Sequence, residues 1–138
     1  MEGIMTHQNS PWLTSVKQTA TGTKEFLSNL SIKVRTDQYE IFTKLLRPQK
    51  DDLILDIGAS SIEMYKDSNM LEKLYPYPKK LTAATIEDAD DLQKLYPHLK
   101  AIQIKPGGKL PFKKHQFDIV TSWATFEHVG GENAQRFF

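Results

Sequence analysis

The chain reads as an α/β protein, with a parallel sheet of about four strands flanked by helices. Three observations predict this class. Short apolar runs alternate with segments of helical period from residue 36 onward. The runs are nearly continuous, as strands buried on both faces require, and do not alternate apolar with polar. Prolines 48, 76, 78 and 97 follow the helical segments, where residues preceding a proline resist the α conformation.

The bulk properties set limits. At 138 residues the chain fits one domain with a core of ordinary size. A hydrophobic share of 39% with 25% charged residues is a soluble globular balance. The net charge of +1 provides no overall field for nucleic acid or for an acidic membrane surface, so neither is expected as a partner. The absence of cysteine excludes disulfides, thiol nucleophiles and thiolate metal sites, and no metal is expected. No apolar run approaches the ~20 residues that span a bilayer. The opening MEGIMTHQNSPW lacks a basic region followed by an apolar one, so a cytoplasmic protein is expected.

In chain order, residues 1–35 are the least organised. Trp12, Leu13 and Val16 suit one amphipathic turn and Phe26, Leu27 and Leu30 another, with TATGT (19–23) between them. The expectation is an N-terminal arm or cap, partly mobile, which acts either as a structural cap or as a lid over a ligand. Residues 36–138 form the domain proper. Thr36 can cap a helix running to Arg47, with Tyr39, Phe42, Leu45 and Leu46 on one face and Pro48 ending it. Strand one is Leu53–Ile57. Ser68 suits the cap of a helix bearing Leu71, Leu74 and Tyr75. LTAATI (81–86) is strand two, and a helix from about Ala89 to Tyr96 follows, its positive end suited by Asp88, Asp90 and Asp91. Ala101–Ile104 is a short third strand and FDIVTS (117–122) a fourth. Lys105, Lys109, Lys113 and Lys114 with His115 read as a solvated loop.

The chemistry concentrates in DDLILDIGASSI (51–62). An apolar run closed by Asp56 and Gly58 reads as a buried strand ending in a tight turn, where doubly wound folds hold nucleotide-like ligands. Gly58 lets backbone approach a ligand without a Cβ, and Asp56 can accept hydrogen bonds from it. The alternative is a turn without a ligand.

Three blocks in order, ILDIGAS, TAATIED and LPF with FDIVTSWATFEHV, resemble the class I S-adenosylmethionine-dependent methyltransferases over roughly residues 37–138. SNMLEKLYP and YPHLK resemble one subgroup of small bacterial members. The resemblance implies a Rossmann-like methyltransferase fold, present as its N-terminal part. Three later strands are missing, so the chain is expected to be a fragment or truncated product, with strand four an uncovered edge open to self-association. It implies S-adenosyl-L-methionine as cofactor and methyl transfer to a small-molecule or saccharide-like acceptor. Asp56 would orient the cofactor's amino acid part, with Gly58, Ala59 and Ser60 offering close backbone. Glu87, or else Asp88, would accept from the ribose hydroxyls, Trp123 would border cofactor or acceptor, and His128 would face the acceptor as base or orienting group. The sequence departs from the family at Ser60 and Ile62, where glycines are common, at Thr85, and at Lys105, where an acid commonly reads adenine. Ser60, Ile62 and Lys105 favour the alternative, a non-catalytic methyltransferase-like module acting through protein contacts. A nicotinamide dinucleotide site fits less well, because G-x-G-x-x-G is absent and Glu87 lies well beyond the ~20-residue spacing.

Overall fold

The structure, a computed structural model, describes residues 11–62 and 66–123, with side chains of the first helix described from Gly22 onward. The order is α1 (Pro11–Leu46), β1 (Ile54–Ile57), α2 (Met70–Leu74), β2 (Leu81–Thr85), α3 (Ala89–Leu95), β3 (Lys100–Gln103) and β4 (Ile119–Thr121). The four strands pair in parallel in the order β3-β2-β1-β4, a parallel sheet with flanking helices. The predicted strands are all present; β1, β2 and β4 are shorter by one to three residues, and β3 keeps its length one residue earlier.

The N-terminal region departs most from expectation. Two separate turns and a later helix are replaced by one 36-residue helix. Pro11 stands at its first position, where a missing N–H costs nothing, and no other proline interrupts it before Pro48. Threonines and Gly22 each weaken a helix by about 1 kcal/mol or less, too little to break one continued on both sides. Thr36 is therefore no cap. It lies inside the helix, and its hydroxyl donates to the Ile32 carbonyl at 2.8 Å. The helix stops at Arg47, whose φ of 47° turns the chain before Pro48. No helix among the described residues is long and apolar enough to cross a membrane.

Successive strand residues face opposite sides of the sheet. Ile54, Leu81 and Ala83 pack with Phe42 of α1, Leu71 of α2 and Leu92 of α3 in one cluster. On the opposite face Leu55, Ile57 and Ala84 pack with Ile104, Leu110, Phe112 and Phe117. The LPF segment thus closes the face that carries none of the described helices, with Phe112 and Phe117 meeting edge to face at 5.1 Å. Asp118 of FDIV ties β4 to the start of β1 by accepting the Leu53 N–H at 2.8 Å. Within the described sheet β4 is an edge, with Val120 exposed.

The topology positions one crevice. From β1 the chain steps outward to β2 and β3, then returns to the other side of β1 as β4. Reversal of this kind leaves an opening beyond the carboxyl ends of β1 and β4. Because Asp56 shares the face of Ile54, its side chain is turned toward α2. Leu71 is fully buried and anchors α2 over β1. Leu71→Ala is expected to cost about 2–5 kcal/mol, read as a fall in the urea unfolding midpoint.

Candidate functional site

Beyond the carboxyl end of β1 lies a cavity of about 230 Å³. Its walls include Asp56, Gly58, Ala59 and Ser60 from β1 and its loop, Asn69 and Glu72 from α2 and its approach, Arg35 from α1, and Trp123 after β4. Asp56 is 4% exposed. Its register opposite Thr121 explains a 2.7 Å hydrogen bond donated by the Thr121 hydroxyl to Oδ1. Glu72, 6% exposed, approaches from α2, and no donor among the described residues reaches its buried Oε1.

Two buried carboxyls in contact cannot both ionise cheaply. Burial pushes Asp56 upward, opposed by hydrogen bonds from Thr121 and Glu72. Burial, and then the charge of Asp56, push Glu72 well above the ordinary glutamate range. Of the two, Glu72 is pushed further toward its protonated form, with a hydrogen bond joining the carboxyls.

The loop after β1 is tied from three sides. Gly58 has φ of 103°, a conformation that favours glycine, and its N–H donates to the Ala84 carbonyl at 2.8 Å. Asn69 holds Ser60 through both ends of its amide: Oδ1 accepts the Ser60 N–H at 2.9 Å, and Nδ2 donates to the Ser60 carbonyl at 2.7 Å. Asn69 has φ of 53°, so the α2 N-cap position falls to Asn69 and not to Ser68, and its side chain is turned to the loop instead of capping. Glu87 closes the third side. Its Oε2 accepts the Ser61 N–H and hydroxyl, both at 2.6 Å, and the Ser60 hydroxyl at 3.1 Å. Partial burial raises the Glu87 carboxyl, but the bonds from Ser61 and then Ser60 outweigh it and hold Glu87 below its usual range.

The residues singled out by the sequence divide accordingly. Asp56, Gly58, Ala59, Ser60 and Trp123 come together on one cavity. Glu87 stands behind it, joined through Ser60. Asp88 caps α3, accepting the Asp90 N–H at 2.7 Å. Trp123 also packs on Tyr39 and Phe42 at 6.4 and 5.8 Å, and its buried Nε1 has no partner among the described residues. His128 lies outside the described residues. Ile62 keeps a negative φ, so the loop follows a course different from a glycine-rich one. Sequence reasoning missed Glu72, Asn69, Thr121 and Arg35. Of these, Asn69 alone carried a local signal, since asparagine tolerates the left-handed conformation. Arg35 Nη1 donates to the Trp123 carbonyl at 2.9 Å. Among the described residues, no group of three or more His, Asp or Glu is placed to hold a metal.

The two acid systems respond oppositely to pH. Protonated Glu72 contributes stability that is fully present below the ordinary value of 4.5 and is lost as pH rises through its raised folded value. Glu72→Gln, which keeps a donor toward Asp56, is expected to melt above wild type at neutral pH, with the advantage fading as pH approaches 4.5. Glu87 has a lowered value, so its contribution is present above 4.5 and is lost as pH falls through its folded value. Glu87→Gln is expected to melt below wild type at neutral pH and to match it in stronger acid. Thermal scans by circular dichroism across that range check both. Comparison with known proteins gives no match: no family model, no curated protein and no solved structure is similar to the chain.

Proposed function

We propose that the chain is the cofactor-binding part of a Rossmann-like, S-adenosyl-L-methionine-dependent methyltransferase acting on a small-molecule or saccharide-like acceptor. One observation carries this reading: the cavity opens where strand order reverses, at the carboxyl end of β1, with Asp56 and the Gly58–Ser60 backbone on its wall. The three sequence blocks of the resemblance supply the donor's identity.

The residues present fit such a group. Gly58, at φ of 103°, brings backbone to the cavity without a Cβ. Glu72 Oε1 is a buried acceptor lacking a donor, which a ligand amine would satisfy. The cofactor supplies a methyl carbon on a positively charged sulfur. Asp56 would orient its amino acid end and the Ser60 backbone would hold the adjoining part. Glu87 retains acceptor capacity on Oε1, met by one 3.2 Å bond from Ser60, and would turn it to the ribose hydroxyls. A second groove runs along α1 past Leu27, Leu30, Val34 and Arg35 to Trp123, giving an acceptor an approach to the same place. Transfer then depends on holding the reacting atoms in line and in contact, with His128 proposed as base or orienting group. The protein is proposed to work in the cytoplasm.

The second reading, a non-catalytic module, is favoured by Glu87, whose oxygens already serve the loop serines. Isothermal titration with S-adenosylhomocysteine separates the two. The enzyme reading expects binding at high micromolar concentration or tighter. It also expects a loss of at least about tenfold, or ~1.4 kcal/mol, in a folded Asp56→Ala variant. A folded chain that takes up no ligand sinks the enzyme reading and supports the module.

A further inference from the structure

Glu72 stands in the first turn of α2, where an acid suits the positive helix end, yet its side chain is buried. It is 6% exposed, lines the cavity, and presents an oxygen that no described donor reaches. It also borders a second cavity of about 230 Å³, beside Lys73, Tyr96 and His98. A carboxyl so placed has two ways to be satisfied. It can keep a proton and donate to Asp56, which leaves Oε1 without a donor. Alternatively, both carboxyls can ionise around a cation. Arg35 of α1 also lines the cavity, and its guanidinium gives bonds to the Trp123 carbonyl and Gln38 and has five N–H groups to offer. Acids from β1 and α2 and a guanidinium from α1 complement a zwitterion, ammonium toward the carboxyls and carboxylate toward Arg35.

We propose that Glu72 is the ammonium-recognition residue of this cavity, and that a ligand with an α-amino acid end exchanges its ammonium for the proton held between Glu72 and Asp56. This rests on the reading above and names the residue that takes the donor's amine. No covalent bond of the ligand changes. The ammonium keeps its protons, and the carboxyl proton leaves to solvent. The charged or titratable groups that line the two cavities with Glu72 are Asp56 of β1, Arg35 of α1, Asp67 before α2, Lys73 of its own helix, Tyr75 after it, and Tyr96 and His98 after α3. Lys73 favours an ionised Glu72, and burial and the charge of Asp56 oppose it.

Isothermal titration of the intact chain near neutral pH, in phosphate and in Tris, reads proton release as a buffer-dependent enthalpy. Three probes are used: S-adenosylhomocysteine, 5′-methylthioadenosine, which lacks the amine, and L-methionine, which lacks the nucleoside. S-adenosylhomocysteine is expected to release a proton and to tighten by up to about tenfold per pH unit below the pair's ionisation. The thioadenosine is expected to bind with no release. Glu72→Gln is expected to bind S-adenosylhomocysteine with equal enthalpies in both buffers and a flat pH profile. Equal enthalpies in wild type overturn the proposal and leave the donor reading standing. This arm decides alone should the variant not fold. Release on binding L-methionine, with nothing gained from the nucleoside, supports the amine site and overturns the donor reading. Failure of all three probes on a folded chain overturns both.

Discussion

A carboxyl beneath a strand buried on both faces is the constraint from which the site follows. Each residue of β1 is buried, so Asp56 cannot reach bulk water as a surface acid does. Its needs must be met by neighbours that the sheet and helices bring to it. Parallel register supplies Thr121 from β4, and the helix packed by Leu71 supplies Glu72. The return of the chain to β4 beside β1 is therefore more than topology: it delivers the hydroxyl that a buried Asp56 requires.

The same constraint orders the loop. Beyond Ile57 the backbone must leave the sheet within a residue, and Gly58 does so in a conformation few other residues adopt cheaply. The next residues have small hydroxyl side chains, which departs from a glycine-rich pattern. That departure has a local use. Ser60 and Ser61 supply the donors that bind Glu87, so the acid at the end of β2 and the loop after β1 are matched to each other. A glycine at either position would leave Glu87 with fewer donors.

The strands were legible because fully buried parallel strands print continuous apolar runs, and LILDI and LTAAT are such runs. The turn at Asp56 and Gly58 was legible because a glycine closing an apolar run marks a sharp exit from a strand. The extent of α1 was not. TATGT has weak local helix preference, and helix continuity is decided over many turns rather than five residues. Glu72 was invisible for a different reason. In MLEKL it reads as the solvent side of a short amphipathic helix, and its burial follows only from how α2 lies on β1. Asn69 and Arg35 likewise acquire meaning from a distant partner, Ser60 in one case and the chain past β4 in the other.

The threefold tethering of the loop has a thermodynamic consequence. Segments that close around ligands lose conformational entropy at the moment of binding, which weakens affinity. Here Ala84, Asn69 and Glu87 have already restricted residues 58–61 during folding. The ordering cost is carried by the global stability of the domain, so a molecule entering the cavity would meet a surface already in shape. Affinity at such a surface is governed by how well a ligand matches fixed donors and acceptors. Selectivity then arises from rigidity, and a substitution far away in the sheet would change recognition only by loosening the whole fold.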